Sequence, residues 1–191
     1  MLITNDFEVA QPVDAVWQFF GDIPLVASCL PGAELTQDLG QDRYGGTVAI
    51  AMGPVRLRFA GTAQIAERDE SARRVVVNAS GADERGRGQA AMTVTATLVA
   101  AGRGTRVAVS QDLQLSGAAA QYGRGMISDV SAVLMRDFAA NLVTQIARAQ
   151  RGEALTGAVA PAGGLAIGLR AAMLALRRVF RRFFVPYRAT S

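Results

Sequence analysis

The apolar positions along the chain change their period several times, and each change predicts an element. "MLITNDFEVA" alternates and predicts a strand ending near Ala10. Gln11-Pro12 then opens a helix with Val13, Val16, Trp17 and Phe20 on its apolar face, because proline suits a first helical turn; Gly21 ends it. "DIPLVASCLPG" predicts a second short helix, with Asp22 as N-cap and Pro31-Gly32 as the break.

Period two follows. "DRYGGTVAIAMGPVRLRFAGTAQIAERDE" predicts two strands hinged at Gly53-Pro54, with Val48, Ile50 and Met52 on one face of the first. Val55, Leu57, Phe59 and Ile65 share a face of the second, and Arg56 and Arg58 take the wet side. "ARRVVVNASGADERG", "GQAAMTVTATLVAAG" and "TRVAVSQDLQLSG" predict further strands joined by short turns, hence an antiparallel meander of about six strands. In "GRGMISDVSAVLMRDFAANLVTQIARAQR" the period lengthens: Ile127, Val130, Leu134, Phe138, Leu142 and Ile146 recur at three and four, predicting a long amphipathic helix. Such a helix buries its face by lying across the curved sheet, so the fold class is α+β.

Residues 152–164, "GEALTGAVAPAGG", predict a flexible linker with a reach on the order of 20 Å. From residue 165 the pattern is helical again. Arg170, Arg177, Arg178, Arg181 and Arg182 fall in one sector, with Leu169, Met173, Leu176, Phe180 and Phe183 opposite. The expected organisation is therefore a domain over 1–151, a linker over 152–164 and a basic amphipathic tail over 165–191.

Composition narrows the chemistry. The chain has 191 residues, all 20 basic residues are Arg, and it contains one Cys and no His. Lack of His removes the commonest general base and the usual Ser-His or Cys-His nucleophile. One Cys excludes an intramolecular disulfide and a Cys/His zinc site, so neither catalytic residues nor metal ligands are assigned. Cys29 in "CLPG" reads as a small buried residue at a helix end. The glycines of "GRGQ" and "GRGM" match no phosphate-loop spacing, and Asp129, near the helix start, reads as favourable to the dipole. Residues 1–150 hold 13 Arg and 15 acids, a balance of −2, whereas residues 151–191 hold seven Arg and one acid, a balance of +6. A mildly acidic body thus carries a basic tail, a pattern that marks an anionic partner. "MLITNDFEVAQP" has no basic n-region or long apolar stretch, so no signal peptide is expected and the location expected is cytoplasmic.

The element order resembles the helix-grip fold of the START and Bet v 1-like (SRPBCC) superfamily. Four strings, "DIPLVASCLPGAE", "GPVRLRFAGTAQI", "GRGQAAMTVTATL" and "GRGMISDVSAVLMRDFAANL", together resemble the G-subunit family of carbon monoxide dehydrogenase over roughly residues 1–150. The resemblance implies an apolar cavity between sheet and long helix, suited to a hydrophobic ligand. It also implies an accessory role beside a molybdenum-containing carbon monoxide dehydrogenase or a related hydroxylase. It does not make this chain a holder of molybdenum, flavin or an iron–sulfur cluster, and no family catalytic set is carried over.

Met52, Phe59, Met92, Met126, Val130, Leu134 and Phe138 form the expected inward apolar set. The residues alone favour a filled core; the resemblance favours a cavity lining, which small residues such as Ala49, Ala51, Ala63, Ala90 and Ala96 leave room for. For the tail, Arg170 and the Gly/Pro content weaken a transmembrane reading, and a nucleic-acid arm would leave the apolar face without purpose. An interfacial helix uses both faces and relieves the like-charged Arg177–Arg181 pair at an anionic surface; a helix docking on a protein is the competing reading. The expectation is a non-enzymatic binding protein, peripheral on the inner face of the cell membrane. Its expected ligand is a non-covalent respiratory quinone, menaquinone or ubiquinone. A recruitment factor with a filled core and a small-molecule cyclase or hydratase are the alternatives.

Overall fold

A computed structural model describes residues 1–52, 55–151 and 153, with Met52 and Val55 described in backbone only. Strand β1 (Leu2–Val9) leads into helices α1 (Val13–Phe20) and α2 (Ile23–Cys29). Six strands follow, β2 (Ala33–Gly40), β3 (Arg43–Met52), β4 (Val55–Asp69), β5 (Arg74–Asp83), β6 (Gln89–Ala101) and β7 (Gly104–Leu115). A single 3-10 turn at Gly117–Gln121 precedes the 27-residue helix α3 (Arg124–Gln150).

The seven strands form one antiparallel sheet in the order β1-β7-β6-β5-β4-β3-β2, so only β1, returned to the far edge beside β7, departs from a simple meander. The elements follow from local chemistry. Pro12 precedes α1 as its N-cap residue, and the Asp22 carboxylate accepts a 3.0 Å hydrogen bond from the Leu25 amide at the start of α2. Strand β2 alternates only at its start, where Ala33 and Leu35 are half-buried; from Thr36 to Gly40 every residue is exposed, so that part is held by its ladder to β3 rather than by burial.

Two apolar clusters hold the helices against the sheet. The larger joins Val9, Val16, Phe19, Phe20 and Cys29 to Val75, Ala96, Leu98 and Val107 of the sheet and to Phe138, Leu142 and Ile146 of α3. Phe138 is its pillar, edge-to-face with Phe7 at 6.0 Å and with Phe20 at 6.5 Å between ring centroids. The smaller cluster, near the other end of α3, contains Leu57, Phe59, Ala119 and Val130, flanked by Val48, Ile50, Ala90, Leu115, Tyr122 and Leu134. The backbone of α3 runs closest to β1 and α2.

Candidate functional site

Between the two clusters the inner face of the sheet is bare. The register aligns Gly46 with Gly61, Gly61 with Gly81, and Gly81 with Ala90 across four adjacent strands. The next inward row is Tyr44, Ala63, Ala79, Met92 and Leu113. Every one of these residues is half-buried rather than buried, although Ala79, Gly81 and Met92 lie on the central strands; Ala90 ends its row at the margin of the smaller cluster. A helix packed flush on this face would bury them, so α3 does not close onto these rows. Glycine is required there. A Cβ on Gly61 would lie 2.0 Å from the Ser80 carbonyl oxygen and 2.5 Å from the Gly81 Cα, so β4 and β5 approach too closely there for any side chain.

The residues expected to face inward divide between these regions. Phe59 and Val130 are buried in the smaller cluster, with Leu134 at its margin. Met92 lies in the bare rows, and Phe138 belongs to the larger cluster. Met126 departs from expectation: its residue is 39% exposed, because the first turn of α3, Arg124 to Met126, lies wholly at the surface and the buried stripe begins beyond it. The side chain of Met52 lies outside the described residues, as do the linker other than Glu153 and the whole tail, including Arg170, Arg177, Arg178, Arg181, Arg182, Leu169, Leu176, Phe180 and Phe183.

Polar groups also enter the inward face, at positions where an apolar residue would keep the pattern. On β7 the inward series Val107, Val109, Leu113 and Leu115 is interrupted by Gln111, whose exposure is 7%. On β1 the series Ile3, Phe7 and Val9 is interrupted by Asn5. Ser131 on α3 completes the group. Asn5 Nδ2 donates to Ser131 Oγ at 3.2 Å, and Ser131 Oγ donates to Gln111 Oε1 at 3.3 Å. The other end of the amide, Gln111 Nε2, is buried with no hydrogen-bond partner among the described residues. A buried donor left in that state costs about 1–3 kcal/mol. Gln64 and Asn78, by contrast, are exposed on the outer face, where Thr93 Oγ1 donates to Asn78 Oδ1 at 2.9 Å.

The buried carboxylates among the described residues are Asp83 and Asp129. Asp83 is saturated: the Arg87 guanidinium grips it at 2.8 and 2.9 Å, and the backbone amides of Arg58, Arg85 and Arg87 donate at 3.2–3.3 Å. The Arg87 hydrogen bonds, aided by those amides, hold its carboxyl well below the usual carboxylate range. It is a clamp between β4 and the β5–β6 turn, with no lone pair left to take a substrate proton. Asp129 lies in the second turn of α3 and is buried. Cys29 is fully buried at the end of α2, and desolvation pushes its thiol up to about 11 despite a hydrogen bond from Ser28 that acts the other way. At neutral pH it is a thiol, not a nucleophilic thiolate. No group of three or more His, Cys, Asp or Glu side chains suited to a metal occurs among the described residues, and none of the described helices is long and apolar enough to cross a membrane.

A seven-stranded antiparallel sheet gripping one long C-terminal helix defines the Bet v 1/START-like fold class. The family model for the G subunit of carbon monoxide dehydrogenase (CoxG) matches residues 6–147, and the chain belongs to that family. Solved structures agree on the fold. A conserved protein from Geobacillus kaustophilus superposes with a TM-score of 0.69 at 18% identity, over 78% of this chain and 97% of its own. An aromatase/cyclase from Streptomyces sp. R1128 gives 0.57 at 14% identity, over 81% and 99%. Ara h 8.0201 gives 0.52 at 13% identity, over 77% and 97%. A comparison with curated proteins finds no match.

Proposed function

We infer that this protein holds one hydrophobic small molecule in a hollow between α3 and the sheet, without transforming it. The observation that carries this reading is the bare Gly/Ala floor, half-exposed on central strands between two packed clusters. An elongated apolar ligand suits such a space, since each CH₂ removed from water contributes about 0.8 kcal/mol. The saturated Asp83, the protonated Cys29 and the lack of His support binding over catalysis.

The family membership supports a molybdenum carbon monoxide dehydrogenase, or a related hydroxylase, as the partner. The basic, apolar tail supports a peripheral site on the inner face of the cell membrane. A respiratory quinone, menaquinone or ubiquinone, is the ligand that links such a membrane to such an enzyme. The protein's own part is to shelter the ring and chain from water while the linker lets the domain turn from bilayer to enzyme. Reconstitution tests this: dehydrogenase, substrate and quinone-containing anionic vesicles, with and without the full chain. Faster quinone reduction with the protein supports the carrier. Equal rates overturn it and leave a recruitment factor as the better reading.

A further inference from the structure

We propose that the Gln111 side-chain amide is the polar anchor of the hollow and selects a ligand that ends in a hydrogen-bond acceptor, such as a ring carbonyl. This rests on the reading above and adds to it the chemistry by which the ligand is oriented. Gln111 sits where the packed and bare regions meet. Its row across the sheet runs from Ile65 through Val77 and Val94 to Gln111 and Ile3, one row away from Ala63, Ala79 and Met92.

The direction of the hydrogen-bond relay decides which group is offered. Asn5 donates to Ser131, so the hydroxyl passes its own proton to Gln111 Oε1. That leaves a donor, Nε2, buried and unmatched. The other atom of the amide, Oε1, is held by Ser131 of α3, which is itself held by Asn5 of β1. An unmet donor one row from the bare positions fits a molecule that is greasy along its length and carries an acceptor oxygen at one end. A pure hydrocarbon would leave the donor unmet and bind less tightly.

The test compares two probes on the full chain: a prenylated 1,4-naphthoquinone, and the chain-matched prenylated naphthalene that lacks both carbonyls. The wild type is expected to prefer the quinone by about tenfold, the worth of one good hydrogen bond. Gln111→Leu and Gln111→Met should lose that preference while keeping the hydrocarbon affinity. Their unfolding midpoints, measured without ligand, report whether the fold is intact. Gln111→Glu, which replaces the donor with an acceptor, should weaken the quinone further. A wild type that binds both probes equally, or a Gln111→Leu that retains the tenfold preference, overturns the anchor and leaves the ligand-holding reading intact. Binding of neither probe overturns both.

Discussion

Ser131 Oγ on α3 lies 3.3 Å from Gln111 Oε1 on β7, and this hydrogen bond ties the long helix to the inner face of the sheet. Apolar packing is non-directional and tolerates small slips of a helix along its groove. A buried hydroxyl–amide pair does not, because one residue of slip leaves both polar groups unmet. The pair therefore sets the registration of α3 over the hollow.

If the bare rows are space rather than core, filling them is tolerated. Ala63→Phe points into the hollow and is expected to alter stability by under about 1 kcal/mol while expelling ligand. Ala96 is 5% exposed within the larger cluster, so Ala96→Phe is expected to cost about 1–3 kcal/mol by overpacking. Urea unfolding of both variants makes the comparison. Equal destabilisation by the two would mean that the sheet has no hollow at Ala63.

The Asp83–Arg87 clamp predicts a particular acid response. A carboxylate held below its unfolded value contributes stability in full above about pH 4 and loses it as pH falls through the folded value. Asp83→Asn should therefore lower the unfolding midpoint at pH 7, and the gap to wild type should narrow at pH 3. A gap that stays constant between the two values would assign the effect to shape alone and not to charge.

Most of the fold was legible because its burial is periodic. Alternation exposed β3 to β7, and the spacing of Ile127, Val130, Leu134, Phe138, Leu142 and Ile146 exposed α3. Strand β2 carries that pattern only over Ala33 to Thr36, since an exposed edge strand needs no apolar face beyond it. Met126 kept the spacing of the stripe but lies in a surface turn, because periodicity cannot tell where packing starts along a helix. The polar group had a signal that period counting passes over: Gln111, Asn5 and Ser131 are polar residues in apolar phase, within "TRVAVSQDLQL", "LITNDFEV" and "SDVSAVL". Their convergence depends on β1 returning beside β7, a pairing that runs from Leu2 with Asp112 to Val9 with Thr105 and that no local pattern contains.

The membrane reading of the tail rests on charge, so it should follow charge. In the full chain, substituting Arg177, Arg178, Arg181 and Arg182 by Gln is expected to remove about 1 kcal/mol of binding per arginine to vesicles rich in anionic lipid. Neutral vesicles should bind the two proteins alike, and added salt should narrow the difference. Unchanged sedimentation with anionic vesicles would favour a protein-docking helix instead.

The central claim, a hydrophobic ligand held between α3 and the bare rows of the sheet, is tested most directly by native mass spectrometry of the full chain purified with its own lipids, beside Ala63→Phe prepared the same way. The wild type is expected to carry a bound species of defined mass, extractable into organic solvent and bearing an acceptor oxygen, and the folded variant to have lost it. A wild type that carries no ligand and takes up no prenylated quinone on addition would contradict the claim.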